Sequence, residues 1–326
     1  GAFQDCSGLT EITIPATIES IAANAFNGCT GLTSIHYAAN AQIGSGSNSV
    51  FRNAGSISGC NLTVTASALV IPANLFDNSN ITNVTVENGV TSVAAGAFAH
   101  CDFLKTVSFS TTVQSIATNA FEDCTQLQSI TVADGNEYFQ SHDGILYNTA
   151  DGSLHTVPQL LSGEITIPRF VNEIPESAFR ERTGITSVTF QQPASGTLSI
   201  GDYAFYGCTK LEELEFPAAT SSIGGHAFSG CTELSELNIP GGLQNIGAAA
   251  FANCTSLAEI TYSSSNLQSF DYDTFYEAGS SAKGITVTFT NTVEHIPSYM
   301  FYNVDGSAVN VTSLIIGSNV KSIGLS

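Results

Sequence analysis

Apolar residues recur along this chain on a fixed beat. From Ala204 it reads Ala-Phe-Tyr-Gly-Cys-Thr-Lys-Leu, from Ala227 Ala-Phe-Ser-Gly-Cys-Thr-Glu-Leu, and from Ala250 Ala-Phe-Ala-Asn-Cys-Thr-Ser-Leu. Phe205, Phe228 and Phe251 are each followed by Cys three positions on and Leu six positions on. The same marker falls at Phe3, Phe26, Phe51, Phe76, Phe98, Phe121, Phe179, Phe275 and Phe301. Only the interval from Phe121 to Phe179 breaks the beat, and it has room for two units plus an insertion. Self-similarity at a fixed period of roughly 20 to 50 residues predicts stacked repeats rather than separate globular domains.

Within a unit, Leu211, Leu214 and Phe216, like Leu9, Ile12 and Ile14, follow an L-x-x-L-x-L spacing. That is the leucine-rich repeat pattern, which places one strand per unit of ~23 residues in a parallel sheet. Alternate side chains of a strand face opposite ways, so the last two apolar positions point inward and the residue between them points out. Pro15, Pro168, Pro217 and Pro240 end the strand, because proline cannot donate to the ladder. A short extended return follows (Ile18 to Ile21, Val113 to Ile116, Val171 to Ile174), and the Ala-Phe step closes the coil in a short helical or 3-10 turn. The fold class is therefore a leucine-rich repeat solenoid, horseshoe-like and mostly β. A single array covers 1–326, with a longer variant coil or hairpin near 134–160. The chain stops at Ser326, two residues short of the next expected Phe, so both ends read as cut within the array.

The unit Ala-Phe-x-x-Cys-x-x-Leu-x-x-Ile-x-Ile-Pro-x-x-Ile-x-x-Ile resembles the BspA-type (Treponema-type) leucine-rich repeat. The resemblance spans the chain, and the long gap also fits: Tyr138 to Asn148, then Leu154 and Pro158, is similar to a longer variant coil of that family. It implies a cell-surface or secreted protein, mostly bacterial, with relatives in parasitic protists. The family's best-known member is an adhesin for host matrix proteins. A repeat scaffold identifies a ligand far less well than it identifies itself.

Charge narrows the partners. With 28 acidic against 8 basic residues the formal charge is −20, which argues against nucleic acid and against electrostatic adsorption to anionic membrane. No run of 18 apolar residues is present, so no membrane insertion is expected. Cys6, Cys29, Cys101, Cys124, Cys208, Cys231 and Cys254 share one slot in their coils. Parallel side chains ~4.8 Å apart exceed the disulfide Cβ distance, so the slot predicts a buried column of thiols. Cys60 stands outside it, two residues before Leu62, and reads as an apolar filler.

The six histidines fall in no zinc or hydrolase motif, and neither G-x-S-x-G nor a phosphate-binding loop occurs. Ser141, His142, Asp143, Asp151 and Ser153 superficially suggest a catalytic triad. However, Asp143-Gly144 and Asp151-Gly152 are turn dipeptides between strand-like runs, so a hairpin is the better account. No catalytic residue, metal ligand or cofactor is assigned. Asn61, Asn80, Asn83, Asn253 and Asn310 open glycosylation sequons that matter only in a eukaryotic source.

The exposed strand positions are more informative. The column between the inward residues runs through Thr13, His36, Thr85, Ser108, Thr131, Thr166, Thr189, Glu215, Asn238 and Thr261, and its neighbour through Glu11, Ser34, Asn83, Thr106, Ser129, Ser187, Glu213, Glu236 and Glu259. Like charges opposite each other destabilise a sheet, so Glu213, Glu236 and Glu259, with Glu215 beside them, are either fully solvated or matched by a partner. That partner could be a basic protein patch or Ca²⁺ held by oxygen ligands. These four glutamates are the candidate binding residues. The functional expectation is a non-catalytic recognition module that adheres to a host matrix or cell-surface protein. The alternatives are a glycan-binding surface protein and a structural spacer presenting another domain. Exposed aromatics on one face would favour a glycan, but Tyr37 and Tyr262 are expected to face inward.

Overall fold

The protein is described by a computed structural model covering residues 1–43, 50–267 and 269–324; Leu325 and Ser326, at the end read as cut, lie outside the described residues. The chain divides into two compact units, one of residues 1–150 with 155–161, the other of residues 151–154 with 162–326. Each is a β-solenoid of stacked coils.

In the first unit six strands pair in parallel in chain order: Glu11–Ile14, Ser34–Tyr37, Asn61–Val64, Asn83–Val86, Thr106–Phe109 and Ser129–Val132. Their register puts Ile12, Ile35, Leu62, Val84, Val107 and Ile130 in one inward row. The second unit repeats this with Ser162–Ile167, Gly184–Phe190 and Glu213–Glu215 in one sheet. Glu236–Ile239, Glu259–Tyr262, Ile285–Phe289 and Val311–Ile316 form the next. Strands end at Ile14, Ile167 and Ile239, just before Pro15, Pro168 and Pro240. The carbonyls of those prolines then accept from Ile18, Val171 and Leu243, three residues on, and turn the chain. The extended returns form a second, shorter set of parallel ladders, for example Val70–Ile71, Ser92–Val93 and Ser115–Ile116.

The Ala-Phe steps differ from expectation: among the described residues none is helical. The reason is a third ladder running from coil to coil. Around Phe205, the amides of Tyr203, Phe205 and Gly207 donate to the carbonyls of Gly225, Ala227 and Ser229 at 2.9, 2.7 and 2.9 Å. To aim those N–H groups outward, residues two before and two after most of the phenylalanines take left-handed conformations: Asn74 and Asn78 around Phe76, Tyr203 and Gly207 around Phe205, His226 and Gly230 around Phe228. A left-handed residue every few positions interrupts helix propagation, leaving isolated turns such as Cys231 N–H to the Phe228 carbonyl.

The interior is the predicted one. Phe3, Phe26, Phe51, Phe76, Phe98 and Phe121 stack in series in the first unit at 5.0 to 5.6 Å between centroids. Phe179, Phe205, Phe228, Phe251, Phe275 and Phe301 do so in the second at 4.6 to 5.9 Å. The cysteines are free thiols, buried except for Cys6. They also do more than fill space. The Sγ of Cys29, Cys101, Cys124, Cys208 and Cys254 donates to the carbonyl of the preceding coil's Phe at 3.0 to 3.3 Å, and Cys231 reaches Phe205 at 3.5 Å. Burial pushes the thiols of Cys101, Cys208 and Cys254 up to about 12, so they stay protonated and able to donate.

Candidate functional site

The outward strand columns are those the sequence predicts, and the two units fill them differently. In the first unit Thr13, His36, Thr63, Thr85, Ser108 and Thr131 are in register, beside Glu11, Ser34, Asn61, Asn83, Thr106 and Ser129. The middle of the second column is hydrogen-bonded from coil to coil: Asn83 Nδ2 donates to Asn61 Oδ1 at 2.9 Å, and Thr106 Oγ1 donates to Asn83 Oδ1 at 2.8 Å.

In the second unit Glu236 lies in register with Glu259, and Glu213 and Glu215 lie in register with Ser187 and Thr189. All four glutamates are exposed. The strand ladder parts between Glu213–Glu215 and Glu236–Ile239, where carboxylates are densest, as like-charge repulsion between neighbouring strands favours. An open cleft of about 360 Å³ lies there, lined by Glu212, Glu213, Glu215, Ser235, Glu236 and Asn238. The structure thus brings three of the four candidates to one cleft and sets Glu259 one strand further along. Among the described residues, no group of three or more His, Cys, Asp or Glu is placed to hold a metal ion.

The triad look-alike resolves into turns. Phe139–His142 and Ile145–Asn148 pair antiparallel around Asp143-Gly144, whose φ angles of 48° and 79° are those of a tight hairpin turn. Ser141 Oγ accepts from the Val132 amide at 2.9 Å. Asp151 accepts from the Ser153 amide and hydroxyl at 2.9 and 2.7 Å, bonds that hold its carboxyl below the usual range. His155 is half-buried, with Nε2 donating to the Ile116 carbonyl at 2.9 Å and Nδ1 accepting from Thr156 Oγ1 at 2.9 Å. Burial lowers its pKa and so favours the neutral ring, which satisfies both contacts. His100 is the opposite case: half-exposed between Asp77 at 2.8 Å and Asp123 at 3.5 Å, with its pKa raised chiefly by the Asp77 hydrogen bond.

Tyr37 and Tyr262 are fully buried, as expected. Exposed aromatics lie elsewhere, on the outer side of the turn ladder, at positions two before and one after the column phenylalanines. Tyr203 and Tyr206 flank Phe205, Tyr276 follows Phe275, and Tyr299 and Tyr302 flank Phe301. Tyr203 stacks on His226 at 4.9 Å and 8°, Tyr206 meets Tyr203 edge-on at 5.7 Å, and the Arg180 guanidinium lies 5.0 Å from the Tyr206 centroid. Sequence reasoning searched the strand face for such rings. The signal that would have found them is the left-handed Asn, Asp and Gly residues two positions from each Phe, which mark a second outward face.

With this geometry in place, the comparisons agree. The family model of the BspA type leucine-rich repeat region (6 copies) matches residues 1–69, 69–143, 161–281 and 198–326. The chain belongs to the BspA-type leucine-rich repeat family. Among solved structures it is similar to a leucine-rich repeat protein from Eubacterium ventriosum (20% identity, 96% of this chain and 83% of that one, TM-score 0.53). A leucine-rich repeat protein from Bacteroides ovatus matches at 19% identity over 100% of this chain and 86% of that one, with TM-score 0.52. The pneumococcal vaccine antigen PcpA matches at 19% identity over 94% and 79%, with TM-score 0.50. At such identities the likeness shows the fold. No curated protein matches significantly. No helix among the described residues is long and apolar enough to cross a membrane.

Proposed function

We propose that this BspA-type repeat protein is a non-catalytic recognition module displayed on a bacterial cell surface or secreted. In this reading it adheres to a host matrix or cell-surface protein through the strand face of its second unit. The observation that carries this reading is the exposed carboxylate cleft of Glu213, Glu215 and Glu236, continued by Glu259, on the outward face of two adjacent sheets whose inward residues are packed in the core. Four carboxylates held on neighbouring strands repel one another, and a basic patch on a partner relieves that repulsion while steering the encounter. Similarity to a bacterial vaccine antigen supports surface display.

The test is binding of the full chain to immobilised matrix proteins across a salt series. The expected result is binding that weakens as NaCl rises and falls several-fold in the Glu213→Gln/Glu236→Gln/Glu259→Gln variant. Unchanged binding by that variant would reject the glutamate site. Absence of binding by the unaltered chain to every matrix protein would reject adhesion and favour a spacer.

A further inference from the structure

We infer that the turn face of the second unit carries a saccharide-binding cradle, separate from the strand-face cleft, whose walls are Tyr206 and the stacked Tyr203–His226 pair on one side and Tyr276 on the other. The cradle is a cavity of about 610 Å³, within the ordinary range for small-molecule sites. Its shape follows from which residue each coil places two before and one after its Phe. The Phe205 coil presents Tyr203 and Tyr206, and the Phe275 coil presents Asp273 and Tyr276. Of the two coils between them, the Phe228 coil presents His226, whose ring lies against Tyr203, and Ser229, and the Phe251 coil presents Ala249 and Ala252; Ser229, Ala249 and Ala252 are buried and form the floor. Coils spaced ~4.8 Å apart therefore set the tyrosine walls about three coils, or roughly 14 Å, from each other.

The fold does not require aromatic rings here. In the first unit the equivalent pairs are Asn24 and Asn27, Asn74 and Asp77, Gly96 and Ala99, and Asn119 and Glu122. The tyrosines of the cradle are half-exposed and stand outside the phenylalanine column. They are nevertheless held in place: Tyr203 lies against His226, and the Arg180 guanidinium lies 5.6 Å from the Tyr203 centroid and 5.0 Å from that of Tyr206. Rings fixed in advance lose little freedom when a ligand stacks on them.

The polar groups select the ligand class. Asp273 Oδ1 accepts from the Val304 amide at 2.8 Å, which orients that carboxylate, and Asp305 is set by the Ser307 amide at 2.8 Å. Exposed Asn253 adds an amide that both donates and accepts. Flat aromatic walls, hydroxyl-accepting carboxylates and an amide suit a pyranose chain, which offers apolar C–H faces and a rim of hydroxyls. Two carboxylates in the lining disfavour an anionic sugar, by like-charge desolvation. A quaternary ammonium is also a poor match, since such cations need rings converging within ~6 Å of one point, and these walls are far more widely separated.

The chain has no Trp, so its emission comes from ten tyrosines, three of which line the cradle. The full chain is titrated with cellohexaose, mannohexaose, chitohexaose and, as an acidic control, sialyllactose. At least one neutral hexasaccharide is expected to bind and perturb tyrosine emission, with affinity falling roughly tenfold for each ring removed in Tyr206→Ala and Tyr276→Ala. Asp305→Ala, at an exposed position, is expected to weaken binding without changing the melting temperature. Glu213→Gln/Glu236→Gln is expected to leave saccharide binding unchanged, which separates this site from the strand-face reading. Failure of all three neutral sugars, binding of sialyllactose alone, or affinity indifferent to the tyrosine substitutions would overturn the inference. So would a peptide library that bound at Tyr206 and Tyr276 while the sugars did not.

Discussion

The first unit's outward strand column is a run of Glu11, Ser34, Asn61, Asn83, Thr106 and Ser129, in which amides and hydroxyls bond to one another from coil to coil. The second unit fills the equivalent column with Glu213, Glu236 and Glu259, and its ladder parts beside them. The turn faces diverge in the same way: Asn, Asp, Gly and Ala flank the phenylalanines of one unit, and tyrosines and His226 flank those of the other. Each unit nonetheless has the same kind of interior, with stacked phenylalanines, thiols bonded to carbonyls, and paired apolar strand rows. The inward positions are fixed by stacking, because no coil can bury them alone. The outward positions are free to vary, and the second unit departs furthest from polar columns that bond to one another.

The common interior is tested by the largest effect. Phe98→Ala in the first unit and Phe228→Ala in the second each remove a fully buried ring from a stacked column, and each is expected to cost about 3–5 kcal/mol in urea unfolding. A value near zero in one unit alone would break the equivalence.

A second test concerns pH and applies to the first unit alone. Burial of His155 disfavours its charged form, so its folded pKa lies below the ordinary value near 6.5. Its contribution is therefore fully present above about pH 6.5 and is lost as pH falls toward the folded pKa. His100 works in the opposite sense. Its raised pKa stabilises fully below about pH 6.5 and loses that contribution as pH rises, weakly at so exposed a site. His155→Gln is expected to lose less thermal stability than the unaltered chain between pH 7.5 and 5.5. An equal loss would reject the neutral-ring assignment.

The smallest effect exchanges the outward columns. Glu236→Asn is expected to gain about 0.2–1 kcal/mol by relieving repulsion with Glu259, and Asn83→Glu to lose a similar amount by breaking its bonds to Asn61 and Thr106. The Glu236→Asn gain should shrink in high salt, and a gain insensitive to salt would point away from charge.

Much of this architecture is legible in the sequence. The phenylalanine beat and the L-x-x-L-x-L strands are stacking requirements that recur from coil to coil, so one chain displays them many times over, and a proline ends the strand in four of them. The role of the cysteines was only half legible: spacing shows that Cys29 or Cys124 is buried, whereas its donation to the preceding Phe carbonyl depends on how the coils lie on one another. The expected helical turns failed because propensity within an Ala-Phe step says nothing about where its amides find acceptors. Those acceptors lie in the next coil. The tyrosine cradle was missed for a related reason, since Tyr203 and Tyr276 are 73 positions apart in sequence and meet only through the register of the turn ladder.

The bond from each thiol to the carbonyl behind it has an evolutionary consequence. In six coils the thiol adds a bond to the Phe carbonyl of its predecessor, so a duplicated segment that carries this Cys arrives already matched to the coil behind it. Copy number can then drift by whole coils without redesigning that junction, and selection is left to act on the few outward residues that each new copy exposes.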